Sequence, residues 1–242
     1  MDNRPTAYFD EVALEVWDYF GIDVHPNTIG NVLKEAGWTR KVCRQRATQM
    51  NKDLRALWAT KAMQWSRQQL VFVDECARSE KNGYRKYGWA PTGVSPMELK
   101  QTKYSDRYSV LPALTVNGYL PNSTLVIKGG VSKAVFIWWL EQKILPQLEP
   151  GYHILVMDNA SIHHGPEIQQ LFSEFEIQCE YLPPYSPDFN PIELTFNVLK
   201  SWLQKHIEEA EWYTDFGAFI HASISKVVGV DCEKYFEACG YM

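Results

Sequence analysis

The chain has 242 residues, 45% of them apolar and 22% charged, with a formal net charge of −5. That size holds one large domain, or a medium domain with a small companion, and the composition excludes a disordered or fibrous chain. No apolar run approaches the ~20 residues of a membrane span. Met1 to Pro5 offers no apolar signal segment, and the five cysteines include no CxxC pair. They read as reduced, intracellular thiols without a zinc-knuckle or disulfide framework.

Apolar residues Phe9, Val12, Leu14, Val16, Trp17 and Phe20 recur at helical spacing, and Gly21 stops that helix. Asn27 is expected to cap a second helix from Thr28 to Ala36, closed by Gly37. Helix, short turn and helix outline a helix-turn-helix, whose second helix would read the major groove through Thr28, Asn31 and Lys34. The same outline fits an ordinary helical hairpin. Arg40, Lys41, Arg44, Arg46, Lys52, Arg55, Lys61 and Arg67 then fall in a stretch where Asp53 is the only acid. The acidic total counts against a nucleic-acid binder, but a local basic track can serve a chain whose sum is negative. A solvated helix face is the alternative reading. A helix is expected around Asn51 to Gln68, in a basic linker.

A larger domain is expected from residue 69. Leu70 to Asp74 and Tyr152 to Met157 read as strands buried on both faces. Tyr84 to Ala90, Tyr108 to Val116 and Ile177 to Leu182 are further strand candidates. Asn117-Gly118 marks a hairpin turn leading into Tyr119 to Ile127. Helices are expected from Ser132 to about Leu148, from Pro166, from Asn190 to about His206, and from Tyr213 to Val228. This order describes an α/β domain with a mixed sheet.

Asp74 and Asp158 each close a buried-strand run, and ligands of open α/β sheets bind outside the carboxyl ends of strands. Glu193 stands 34 residues beyond Asp158, in Asn190-Pro191-Ile192-Glu193. That quartet fits a capping box, which needs no metal. It also fits a carboxylate aimed at the sheet end, held by the rigid Pro183-Pro184-Tyr185-Ser186-Pro187 lead-in. Three carboxylates suit hard divalent cations such as Mg²⁺ or Mn²⁺, and two such ions serve phosphodiester cleavage and transfer. Asp74 is the natural bridging ligand, with Asp158 and Glu193 each holding one ion. No Gly-x-Ser-x-Gly or P-loop lysine motif is present. His163 and His164 are expected at the surface or against DNA.

Four segments carry a family resemblance. They are Val73-Asp74-Glu75, Tyr87-Gly88-Trp89-Ala90-Pro91-x-Gly93, Met157-Asp158-Asn159-Ala160-x-x-His163, and Leu182-Pro183-Pro184-Tyr185-Ser186-Pro187-Asp188-Phe189-Asn190-Pro191-Ile192-Glu193. Together they resemble the DDE transposases of the mariner-like superfamily. The resemblance implies a ribonuclease H-like mixed sheet flanked by helices, preceded by a small helix-turn-helix segment. It implies Asp74, Asp158 and Glu193 as catalytic, metal-binding triad with two Mg²⁺ or Mn²⁺ ions. It further implies cutting of double-stranded DNA at transposon ends, joining of the 3′-hydroxyl to target DNA, a homodimer, no membrane, and a nuclear location, or a cytoplasmic one in a bacterium.

The expected organisation is a partial helix-turn-helix at 1–41, a basic linker at 42–68 and a catalytic domain at 69–242. Arg40, Lys41, Arg44 and Arg46 join Thr28, Asn31 and Lys34 as DNA-contact candidates. Relatives usually carry two helix-turn-helix units, so this chain reads as N-terminally truncated, and Phe196 stands where many relatives have Trp. Two rival functions remain at this stage: an inactive or domesticated transposon-derived DNA-binding protein, and a nuclease of the same fold acting on branched DNA or RNA–DNA hybrids.

Overall fold

The structure, a computed structural model, describes residues 4, 6–41, 50–83, 88–97, 106–227 and 232–242. The chain divides into two units, Met1–Thr48 and Gln49–Met242. The division falls inside the segment expected as a linker.

In the small unit α1 spans Phe9–Phe20 and α2 spans Pro26–Glu35. Glu11 reaches back to the Tyr8 backbone N–H at 3.0 Å, and Gly21 closes α1 in the left-handed region at φ 67°. The second helix starts earlier than expected. His25, not Asn27, occupies the N-cap and accepts from the Asn27 N–H at 3.2 Å. Pro26, with its fixed φ, is suited to the first helical position and draws the start forward. At the other end Gly37, at φ 78°, lets the Trp38 N–H bond back to the Leu33 carbonyl at 2.8 Å. Gly30 permits close approach of the helices: a Cβ there would stand 3.0 Å from the Phe9 ring.

In the large unit α3 (Lys52–Ala62) leads into β1 (Leu70–Val73), fully buried as its apolar run requires. The five-stranded sheet has β1 at its centre. Beside it on one side run β4 (Ala113–Thr115) and then β5 (Gly118–Tyr119), each antiparallel to its neighbour, closed by the expected Asn117-Gly118 turn. On the other side run β7 (Ile154–Met157) and then β8 (Gln178–Tyr181), both parallel. A second, antiparallel sheet orders β2 (Cys76–Ser79), β3 (Arg107–Leu111) and β6 (Leu125–Lys128). The strand expected over 108–116 is thus two, parted at Pro112, which has no N–H for the ladder. The strand expected over 119–127 is likewise split around Pro121-Asn122. Of the strand expected over 84–90, residues 84–87 lie outside the described residues, and Gly88 to Ala90 form no strand.

Alternation along β1 and β7 divides the core. Leu70, Phe72, Ile154 and Val156 pack toward α6 (Pro191–Lys205), α7 (Phe216–Val227), α8 (Cys232–Ala238) and Trp58 of α3. Val71, Val73, Leu155 and Met157 pack toward α4 (Lys133–Trp139) and α5 (Pro166–Glu174). The expected long helix after Ser132 is α-helical only through Trp139, then passes through a π-turn at Leu140–Ile144 and a tight turn at Leu145–Gln147. Pro146 cannot donate an intrahelical bond, so the regular ladder cannot run through it. Phe196 is buried on α6 within the first of these cores. No helix among the described residues is long and apolar enough to cross a membrane.

Candidate active site

The site follows from register. Phe72 of β1 lies opposite Val156 of β7 in a parallel pair. Two residues further along both strands, the same register brings Asp74 beside Asp158. Asp74 meets Asn190 at the start of α6, and Asp158 meets His163, which packs against Phe136 of α4. Glu193 occupies the first turn of α6. Asp74 also stands where the chain leaves the five-stranded sheet for β2 of the other.

The three carboxylates act on one another. Burial, then the charges of Glu193 and Asp158, push the Asp74 carboxyl up to about 8. Burial also raises Glu193; Arg78 opposes that and Asp158 adds to it. Burial works to raise Asp158 too, but a hydrogen bond from His163 and another from the Ala160 N–H at 2.9 Å hold it below the usual carboxylate range.

Asp74 and Asp158 are also held by donors of their own. Asp74 accepts from Asn190 Nδ2 at 2.9 Å on Oδ2 and from the Glu75 N–H at 2.7 Å on Oδ1. Asp158 Oδ1 meets His163 Nδ1 at 2.8 Å, and His163 Nε2 reaches Glu75 Oε2 at 3.3 Å. His163 is fully buried, 4.4 Å from the Phe136 ring. Burial works to lower its imidazole, but the two carboxylates raise it to about 9, so it is cationic at neutral pH. The turn after Asp158 is fixed by Tyr181 Oη donating to the His163 carbonyl at 2.8 Å and by Asn159 Nδ2 donating to the Leu182 carbonyl.

Among the described residues no three His, Cys, Asp or Glu side chains converge closely enough to coordinate one ion. The chemistry of the cluster nevertheless fits hard cations. Its donors are carboxylate oxygens, Asp74 is charged only at a cost that a cation would remove, and Asn190 Oδ1 is buried without a partner beside it.

Residues 69–211 match the family described as DDE superfamily endonuclease, and residues 8–62 match the winged helix-turn helix family. The chain belongs to the DDE superfamily of endonucleases. It shares its fold with Mos1 transposase, at 15% identity and TM-score 0.59 in a pre-cleavage transpososome, over 100% of this chain and 77% of that one. The Mos1 strand transfer complex gives 15% identity and TM-score 0.61, over 100% of this chain and 76% of that one. The Mos1 paired end complex with Mn gives 16% and 0.60, over 99% and 76%. No curated protein matches the chain. The DDE endonuclease fold here is therefore the ribonuclease H-like mixed sheet flanked by helices, with an N-terminal helix-turn-helix segment.

Several expectations change. His163 is not at the surface: a tight turn at Ser161–His163 carries it under Phe136, and only His164 is exposed, stacked on Tyr181 at 4.3 Å. The capping box at α6 does not form. Asn190 is the N-cap residue, but its side chain makes no cap bond and serves Asp74 instead, which leaves Glu193 free of a cap role. The basic track does not continue past residue 50 as an open face. Arg55 grips Asp188 with two bonds of 2.9 and 2.6 Å, Lys61 pairs with Glu180 at 2.6 Å, and Arg67 reaches Glu233 and Glu237 at 3.3 Å. Thr28, Asn31, Lys34, Arg40 and Lys41 are all exposed. Arg44 and Arg46 lie outside the described residues.

Arg78 was not named in sequence, and Asn190, Glu75 and Arg55 were named only in other roles. A signal existed for one of them. Cys76 is buried in the same core as Phe72, so Arg78, two residues on, faces the α6 side with it.

Proposed function

We propose that the chain is a divalent-cation-dependent DNA endonuclease and strand transferase of the transposase type. The observation that carries this reading is that Asp74 and Asp158, which follow paired parallel strands, and Glu193, in the first turn of α6, are three carboxylates that perturb one another inside a DDE endonuclease fold. Asp74 would be shared by two Mg²⁺ or Mn²⁺ ions, with Asp158 and Glu193 holding one each. Bound there, such ions supply Lewis-acid stabilisation of the attacking and leaving oxygens of a phosphodiester.

The chain's own residues prepare that chemistry. Asn190 orients the Asp74 carboxylate, and His163, braced by Glu75, orients that of Asp158. Arg55 sits 4.2 Å over the Phe189 ring while gripping Asp188, and Tyr241 Oη donates to the Phe189 carbonyl at 2.7 Å. These contacts fix the approach to α6 and so the place of Glu193. The reaction begins with water attacking a phosphodiester to leave a 3′-hydroxyl. That hydroxyl then attacks a target phosphodiester, forming one P–O bond as another breaks.

Structures that share this fold include a Mos1 paired-end complex with the left transposon end and a Mos1 paired end complex with Mn. By that likeness the substrate is double-stranded DNA at element ends, bound by a homodimer. The exposed Thr28, Asn31, Lys34, Arg40 and Lys41, with Arg44 and Arg46, form the DNA-contact set. The test is incubation of the chain with supercoiled DNA carrying the element's ends, in Mg²⁺ and in Mn²⁺. Nicking that requires the cation is expected. Binding without nicking in either metal would favour the inactive, domesticated reading.

A further inference from the structure

Every polar atom of Asn190 but one is engaged. Its backbone N–H donates to the Pro187 carbonyl at 3.0 Å, and its carbonyl accepts from the Glu193 N–H at 3.2 Å. Its side-chain Nδ2 donates to Asp74 Oδ2 at 2.9 Å. Oδ1 is left over, buried and without a donor, on a residue only 2% exposed. An asparagine at a helix N-cap ordinarily spends this same oxygen on the N–H groups of the first turn. Here it makes no cap bond, although Asn190 is the N-cap residue of α6. Buried polar atoms almost always have partners, so this exception calls for one that the folded chain does not itself supply. Oδ1 and Nδ2 share one carbon, through bonds of about 1.2 and 1.3 Å, so Oδ1 lies within about 5.5 Å of Asp74 Oδ2. Asn190 thus joins the acid that follows the central strand to the helical turn that carries Glu193.

We infer that Asn190 Oδ1 is a ligand of the divalent cation held by Asp74 and Glu193, a neutral oxygen donor beside the carboxylates. The inference rests on the reading that these acids bind such a cation, and it adds a residue to that site. An amide oxygen is a hard donor of the kind that Mg²⁺ and Mn²⁺ accept. Unlike a further acid, it brings no extra charge to a sheet end that already carries three carboxylates. The two halves of the amide divide the work. Nδ2 orients Asp74, and Oδ1, withheld from the cap, serves the ion.

The test is electron–nuclear double resonance on Mn²⁺ bound to the full chain, with and without duplex DNA, the asparagines carrying ¹³C at the side-chain carbonyl. A ligating amide puts that carbon roughly 3 Å from the ion. An amide parted from the ion by a water stands farther away and couples weakly. Wild type is expected to show a strong ¹³C coupling. N190S should lose it and bind Mn²⁺ about tenfold more weakly, a loss usual when a group supporting a metal is removed. N159S, altered at the asparagine next to Asp158, should keep it. Should N190S not fold, the coupling in wild type and N159S decides. Mn²⁺ whose binding E193Q abolishes, but which shows no strong ¹³C coupling in wild type, overturns the ligand role while the carboxylate site stands. A coupling that survives in folded N190S, or that N159S alone removes, overturns it too. Absence of any E193Q-sensitive Mn²⁺ binding, with the fold intact, overturns the cation site itself and this inference with it.

Discussion

Asn190 Nδ2 donates to Asp74 Oδ2 at 2.9 Å across 116 residues of chain, joining the start of α6 to the end of the central strand. The bond is buried, and it uses the side chain that would otherwise cap the helix. Asn190→Ala should lower stability by about 1–2 kcal/mol in urea unfolding. The same variant should lower nicking far more than that loss of folded protein explains, because Asp74 loses its orientation. Unchanged nicking at saturating Mg²⁺ would count against a role for this bond.

A pH dependence follows from Asp74 and His163. An Asp carboxyl raised to about 8 makes the folded state bind the proton more tightly than the unfolded chain does. Its effect on stability therefore turns unfavourable as pH rises from about 4 to about 8. His163, raised to about 9, contributes stability that is full below its ordinary value near 6.5 and is lost as pH rises through 9. Both slopes have the same sign between pH 6.5 and 8. In chelator-treated protein the melting temperature should fall from pH 6 to pH 9, and D74N should flatten the fall. A rising melting temperature over that range would contradict both assignments.

The approach to Glu193 is braced by a residue from outside the segments that carry the three acids. Arg55 of α3 holds Asp188 in a forked pair and covers Phe189. Arg55→Ala should cost about 1 kcal/mol, since Asp188 is largely exposed. Arg55→Lys keeps the charge but not the fork, so it should recover only part of the loss in thermal unfolding.

The basic residues separate into two groups. Lys34 and Arg40 are exposed on the small unit, whereas Lys61 is paired with Glu180. Lys34→Ala and Arg40→Ala should each weaken DNA binding and reduce the salt slope by about 1. Lys61→Ala should leave the salt slope unchanged. A reduced slope for Lys61→Ala in mobility shifts at graded salt would place α3 on the DNA after all.

Much of the frame was legible in the sequence because β1 and β7 are short, continuously apolar runs, each ending in an acid. What stayed hidden has particular causes. Asn190-Pro191-Ile192-Glu193 has the same spelling whether Asn190 caps the helix or reaches Asp74, and only the neighbouring strand decides. His163 could not be placed because a tight turn, not a strand, carries it inward onto a pocket formed by Phe136, 27 residues earlier. Arg55 and Lys61 looked like a DNA track because their partners, Asp188 and Glu180, lie more than 100 residues away in sequence. The helix α8 gave no expectation at all, being a single short segment of seven residues.

The central claim, that Asp74, Asp158 and Glu193 grip the same cations, can be read directly by iron-mediated backbone cleavage. Fe²⁺ bound in place of Mg²⁺, with ascorbate and peroxide, cuts the chain where it is held. Fragments ending near residues 74, 158 and 193, suppressed by Mg²⁺ and lost together in D158N, are the predicted result. Cleavage at only one of the three places, or a pattern that D158N leaves unchanged, would contradict the account.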